Sequence, residues 1–201
     1  MSRLLYLIYV IVFAVLTSAC INAHLNIFHY TSAEHYSGPP IRTIPIWIDK
    51  SFGDADRISI NDAIDTWNFA LNGYIKLVVI EDYYTLPTNP TQESKNSPGW
   101  LIMKVSEKNS PLEMPYGFTD KVGGSRIYLV RERFDNDVVF GLVLHEISHL
   151  LWAEHIGRTG LMSPGYTDIN NECIDYPTIE QVAKHYHIPI KELNYCIKGI
   201  N

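Results

Sequence analysis

Residues 144–166, LHEISHLLWAEHIGRTGLMSPGY, constrain the fold of this chain more than any other stretch. His145 and His149 stand four apart with Glu146 beside the first, the H-E-x-x-H pattern. On a helix, positions i and i+4 share one face, so two imidazoles address one metal ion and the carboxylate reaches a water bound to it. Phe140, Leu144, Ile147 and Leu151 make an apolar stripe on the same helix. It is distinct from the stripe of Leu142, His145 and His149, so the core-facing and metal-facing sides separate. A zinc ion that keeps one position for water takes three protein ligands, and His155 is the candidate for the third. If the helix ran on, a residue six beyond His149 would be rotated by about 240° and would face the core. The chain must therefore leave the helix by about Ala153 and double back.

The segments upstream alternate in type. Residues 42–49 are β-rich and bounded by turn residues, and 75–81, 100–105 and 126–130 read as further strands, with a short extended piece at 116–119. Ile60, Ala63, Ile64, Trp67 and Leu71 recur at helical spacing with Asp56, Asp62 and Asp65 off the stripe. They predict an amphipathic helix of about 15 residues. Asp135 or Asn136 is the expected cap of the helix that carries the histidines. Strand, helix, strand, strand requires a crossover, and hence a partly parallel sheet.

At 201 residues the chain is long enough for one domain with appendages. A net charge of −6 without a basic cluster leaves no electrostatic footprint for nucleic acid. Thirteen Tyr and four Trp suit a core with polar handles or an extended binding cleft.

The N-terminus has the form of an export signal: Arg3, an apolar run over residues 4–16, then Thr17-Ser18-Ala19-Cys20. Small residues before Cys20 resemble a bacterial lipoprotein box, in which that Cys is lipidated, although Thr17 stands where Leu is usual. An uncleaved signal-anchor and plain secretion are the alternatives. The expected organisation is a signal over 1–19 with Cys20 lipidated, a tether over 21–41 ending in Gly-Pro-Pro, and a domain over 42–201. The expected localisation is a cell envelope or surface. Cys173 and Cys196 pair readily in an exported protein, closing a loop of about 23 residues worth roughly 3 kcal/mol, and Cys20 is then the odd one. His24, His29 and His35 fit no compact site and read as linker residues.

The residues of 144–166 resemble the metzincin zinc peptidases, whose signature is H-E-x-x-H-x-x-G-x-x-H followed by a methionine turn. His145, Glu146, His149 and His155 occupy matching positions. Trp152 stands where the family has Gly, and a non-Gly residue in that left-handed turn costs about 1–2 kcal/mol. Leu161-Met162-Ser163-Pro164-Gly165-Tyr166 resembles the L-M-Y-P-x-Y segment of the matrixin branch, with Ser163 in place of its Tyr. The resemblance implies an α+β fold. Its twisted mixed sheet has one antiparallel edge strand, with the crossover and active-site helices packed on it. It divides the domain into 42–155 and a small helical subdomain over 156–201.

It also implies one catalytic Zn2+ on His145, His149 and His155, with Glu146 as general base and Met162 as a packing base beneath the metal. Pro164 and Tyr166 form a pocket wall, and a peptide or protein substrate pairs with an edge within 116–130. No tyrosine is available two after Met162, where Pro164 stands, and Cys20, the only Cys before residue 173, lies at the expected processing site, so a cysteine latch is not expected. Structural Ca2+ at Asp120, Glu132, Asp135 or Asp137 is less expected than a solvated acidic loop. Two rival readings are a site completed by Glu172 or Glu180 instead of His155, and a membrane-anchored binding protein on a peptidase scaffold.

Overall fold

The computed structural model describes residues 29–80, 99–109, 116–133, 135, 138–157, 159–164 and 173–197. The signal region, Cys20, His24 and Tyr166 lie outside them, as do Asp137 and Glu172. Seven strands and three α-helices occur among the described residues: β1 (His29–Tyr30), β2 (Arg42–Ile48), α1 (Asp54–Ala70), β3 (Ile75–Val79), β4 (Trp100–Val105), β5 (Gly117–Thr119), β6 (Arg126–Val130), α2 (Val139–Leu150), α3 (Tyr176–Tyr186) and β7 (Cys196–Ile197). None of the described helices is long and apolar enough to cross a membrane.

The main sheet has the order β3-β2-β4-β6-β5. β2 is parallel to β3 and to β4, β4 is parallel to β6, and β5 runs antiparallel to β6 at the edge. The fold is therefore α+β with a mixed five-stranded sheet and one antiparallel edge strand, as the pattern and the resemblance imply. Alternation along β4 and β6 sorts the two faces. Trp100, Ile102, Ile127 and Leu129 join the main core under the helices. Leu101, Met103 and Tyr128 form a small cluster on the opposite face with Trp47 and Phe118.

The main core lies between the sheet and the helices α1 and α2. Ile60, Ala63, Ile64, Trp67 and Leu71, the stripe legible in the sequence, are all buried there. Trp67 does more than fill space: its Nε1–H donates to the carbonyl of Leu144 at 3.1 Å, pinning α2 one residue before His145. α2 begins at Val139, later than expected, and no side chain caps it. The preceding chain is committed elsewhere. Arg131–Arg133 forms a 3-10 turn, Arg131 pairs with Asp56 of α1 at 3.0 Å, and Val138 N–H closes a turn on the carbonyl of Asp135.

The stretch expected as a tether over 21–41 is partly docked. β1 pairs antiparallel with β7, Thr31 N–H donates to Tyr195 O at 2.8 Å, and Ala33 N–H donates to Asn194 Oδ1 at 2.8 Å. Tyr36 stacks on Tyr74 and Tyr30 meets Phe69 edge-on. Residues with no sustained period in sequence are thus held by backbone bonds and aromatic contacts to distant partners, which no local pattern announces. The Cys173–Cys196 disulfide fastens β7 to the start of α3.

Candidate metal centre

α2 presents His145 and His149 on one face, and both are buried. Each imidazole is oriented by a backbone carbonyl. His145 Nδ1 donates to Leu161 O at 2.6 Å, and His149 Nδ1 donates to Ala153 O at 2.8 Å. A proton held on Nδ1 leaves Nε2 as a lone pair, the state a metal ion requires. Burial lowers the pKa of His145 to about 4, against the opposing pull of the Leu161 carbonyl, and lowers those of His149 and His155 as well. All three are therefore neutral at physiological pH.

The chain does double back, and Trp152 is where it turns. Trp152 has φ +72°, in the left-handed region. Trp152 N–H donates to His149 O at 3.0 Å and Ala153 N–H to Ser148 O at 2.9 Å, the paired bonds of a Schellman motif. This turn, with a tryptophan in the position usually given to glycine, carries His155 back over the helix end. His155 Nε2 then lies 3.2 Å from His145 Nε2 and 3.2 Å from His149 Nε2. Three tetrahedral ligands at the usual Zn–N length have nitrogens about 3.3 Å apart. Two Nε2 lone pairs aimed with a third ring nitrogen at one point repel each other unless a cation sits between them, so the donor set and spacing fit a zinc ion. Among the described residues this is the one group of three or more ligand-type side chains whose ligand atoms converge. The corner offered in sequence to Glu180 is filled by His155, while Glu180 accepts from the hydroxyl of Tyr176 on α3.

Glu146 is buried beside the first histidine, and its Oε2 has no hydrogen-bond partner. Burial alone raises its pKa to about 8. A buried carboxyl oxygen without a partner is costly unless a cation or a bound water compensates it.

The segment after the turn is tied back to it. Ile156 N–H donates to Met162 O at 2.8 Å, and Met162 is buried. Leu161, whose carbonyl orients His145, donates its own N–H to Asp175 Oδ2 at 3.2 Å. Asp175 also caps α3 by accepting from Thr178 N–H. Leu161 and the start of α3 are thereby joined through one carboxylate. Gly160, at φ +100°, lies against that carboxylate where a β-carbon would collide with it. Pro164 is exposed and Ser163 buried. Asp120 is engaged otherwise than expected of a calcium ligand, since its Oδ1 accepts from the N–H groups of Lys121, Ser125 and Arg126.

No protein-family model and no curated protein matches this sequence. Two solved zinc-protease or metalloproteinase structures superpose on it weakly. High choriolytic enzyme 1, a hatching enzyme zinc-protease from the medaka fish Oryzias latipes, gives a TM-score of 0.45 at 14% identity over 78% of this chain and 94% of its own. Metalloproteinase-II from Bacteroides fragilis gives 0.45 at 15% identity over 79% of this chain and 58% of its own, so this chain spans less than two thirds of that protein. At such identity and superposition neither likeness says what this chain does. The chemistry is read from the histidines.

Four residues of this centre carry no strong sequence signal. Asp175 is visible as a helix cap before Tyr-Pro-Thr, but not as a partner of Leu161. Gly123, whose N–H donates to His149 O at 2.7 Å, is one of several loop glycines. Gln181, whose side-chain amide bonds Glu154, and His185, whose ring stacks on Trp152, read as ordinary polar positions of α3.

Proposed function

We propose that the protein is a zinc-dependent endopeptidase of the metzincin type, closest in its methionine turn to the matrixin branch. The observation that carries the reading is the convergence of three imidazole Nε2 atoms beside a buried, unpaired glutamate. His145, His149 and His155 would hold the ion, which when bound would supply Lewis acidity and lower the pKa of a coordinated water. Glu146 accepts the proton of the attacking water and passes it to the leaving amine. Its burial suits that task, because a carboxyl pushed upward in pKa both takes and gives a proton near neutrality. A dication held by the neighbouring histidines favours its ionised form before each turnover.

Among the described residues β5 is the edge strand of the sheet, and an extended peptide would pair along it by main-chain hydrogen bonds. Met162 packs beneath the site, and Pro164 with Tyr166 borders the pocket for the residue after the scissile bond. The N-terminal segment exports the chain and, through lipidation at Cys20, holds it at a membrane surface.

Hydrolysis of a quenched peptide or casein, with and without chelator, tests the enzyme reading. Zinc content measured on Glu146→Ala tests the roles. Activity should vanish while zinc stays bound, and a Glu146→Ala protein with full turnover overturns the assignment. A protein that binds zinc stoichiometrically yet hydrolyses nothing would favour the binding-protein alternative.

A further inference from the structure

His145 and His149 are each fixed twice, by α2 and by an Nδ1 bond to a carbonyl. His155 has neither support. It is exposed, it lies outside regular secondary structure, and its Nδ1 has no hydrogen-bond partner among the described residues. Its place is set by the backbone on either side: Met162 O holds Ile156 after it, and α3 holds the residues before it. Glu154 N–H donates to Gln181 Oε1 at 3.1 Å, and Gln181 Nε2 donates back to Glu154 O at 3.0 Å. One side-chain amide thus closes on both polar groups of the residue before His155. One helical turn further along α3, the ring of His185 stacks on the indole of Trp152, with centroids 4.5 Å apart and planes 11° from parallel. Residues 181 and 185 share a helix face, and that face receives the turn at both ends. The other side of Trp152 is also prepared: a β-carbon at Gly123 would overlap the indole.

We infer that Gln181 and His185 are positioning residues of the metal centre, acting through Glu154 and Trp152 to hold His155 at the third corner. The inference rests on the reading that the three histidines hold a metal ion. A solvent-accessible hydrogen bond or stack contributes little alone. The two together, placed on one rigid helix and joined to a short segment, restrict the approach to His155 from its N-terminal side, while Ile156 N–H on Met162 O holds the residue after it. Outer partners of metal ligands typically change metal affinity by about 10- to 100-fold when removed.

The test measures zinc affinity of the full chain by competition with a chromophoric chelator, together with the visible absorption spectrum of the Co2+-loaded protein. Gln181→Ala and His185→Ala should each weaken zinc binding about tenfold or more and alter the cobalt bands. His185→Phe, which keeps a ring to stack, should restore both readouts. Gln181→Glu, which keeps the acceptor and loses the donor, should fall between wild type and Gln181→Ala. In a His155→Ala background neither alanine substitution should weaken zinc further. A Gln181→Ala protein with wild-type affinity and an unchanged cobalt spectrum overturns the inference. An equal loss of affinity in the His155→Ala background overturns it too, because the effect would then pass through the fold at large. Wild-type protein that takes up no zinc overturns the underlying reading of the triad, a result distinct from either.

Discussion

Glu146 gives the most quantitative handle on this structure. In the unfolded chain its carboxyl ionises near 4.5, whereas burial in the metal-free fold holds the proton until about pH 8. A raised folded-state pKa means stability fully present below pH 4.5 and lost progressively as pH climbs to about 8. Each pH unit well inside that window costs about 1.4 kcal/mol and less near its two ends, so between pH 5 and pH 8 the protein without metal loses about 3 kcal/mol through this residue. Gln cannot titrate. The stability difference between Glu146→Gln and wild type should therefore shift in favour of the variant by about 3 kcal/mol over that range. Any fixed cost of burying the amide is the same at every pH and drops out.

Lowered histidine pKa values act with the opposite sign, removing stability as pH falls through 6.5 towards 4, but both proteins share them. The assay is urea unfolding of both proteins with the disulfide intact and a chelator present, at pH 5, 6, 7 and 8. A difference that stays flat with pH would show that the carboxyl is ionised and solvated in the fold, and the argument from its burial would fail. With zinc saturating, the climb should shrink, because the dication favours the carboxylate.

Trp67→Phe removes both the indole bond to Leu144 O and buried volume. It should cost about 2–3 kcal/mol, read by chemical denaturation, and a loss under 0.5 kcal/mol would refute the pinning of α2. Gly123→Ala places a β-carbon against Trp152 at a residue with φ +67°. It should destabilise by about 2 kcal/mol or more, and the same substitution in a Trp152→Gly background should cost clearly less. Serine at both Cys173 and Cys196 should lower stability by about 3 kcal/mol. An unchanged unfolding midpoint in non-reducing conditions would refute the bond between them.

Much of this fold was legible because its periods are local. The stripe from Ile60 to Leu71 and the strands over 75–79, 100–105 and 126–130 bury the residues their spacing indicates. The turn at Trp152 was legible for a different reason. His155 cannot reach His145 and His149 along a continuing helix, so the ligand pattern itself demands a reversal that the residue type at 152 disfavours. Long-range partners were not legible. Nothing near Asn194 states that it will receive Ala33, and nothing near Gln181 states that it will face Glu154. Asp135 does not cap α2, and Asn136 lies outside the described residues; Arg131 and Asp56 draw the preceding segment towards α1. Capping preferences describe an isolated helix end, and here a tertiary ion pair decides where that end begins.

The pairing of His29 with Ile197 brings the two ends of the described domain to one place. Segments continuing from either end therefore depart from the same spot, and whatever moors residue 29 moors the domain there, leaving the rest of the body to swing about it. A pull arriving at residue 29 is borne first by the short ladder to β7 and the bonds from Thr31 and Ala33. The disulfide at Cys196 passes that load to Cys173 at the foot of α3. Tension along the chain thus divides between the helix that carries Gln181 and His185 and, through Ile41 N–H on Tyr74 O and the chain itself into β2, the sheet.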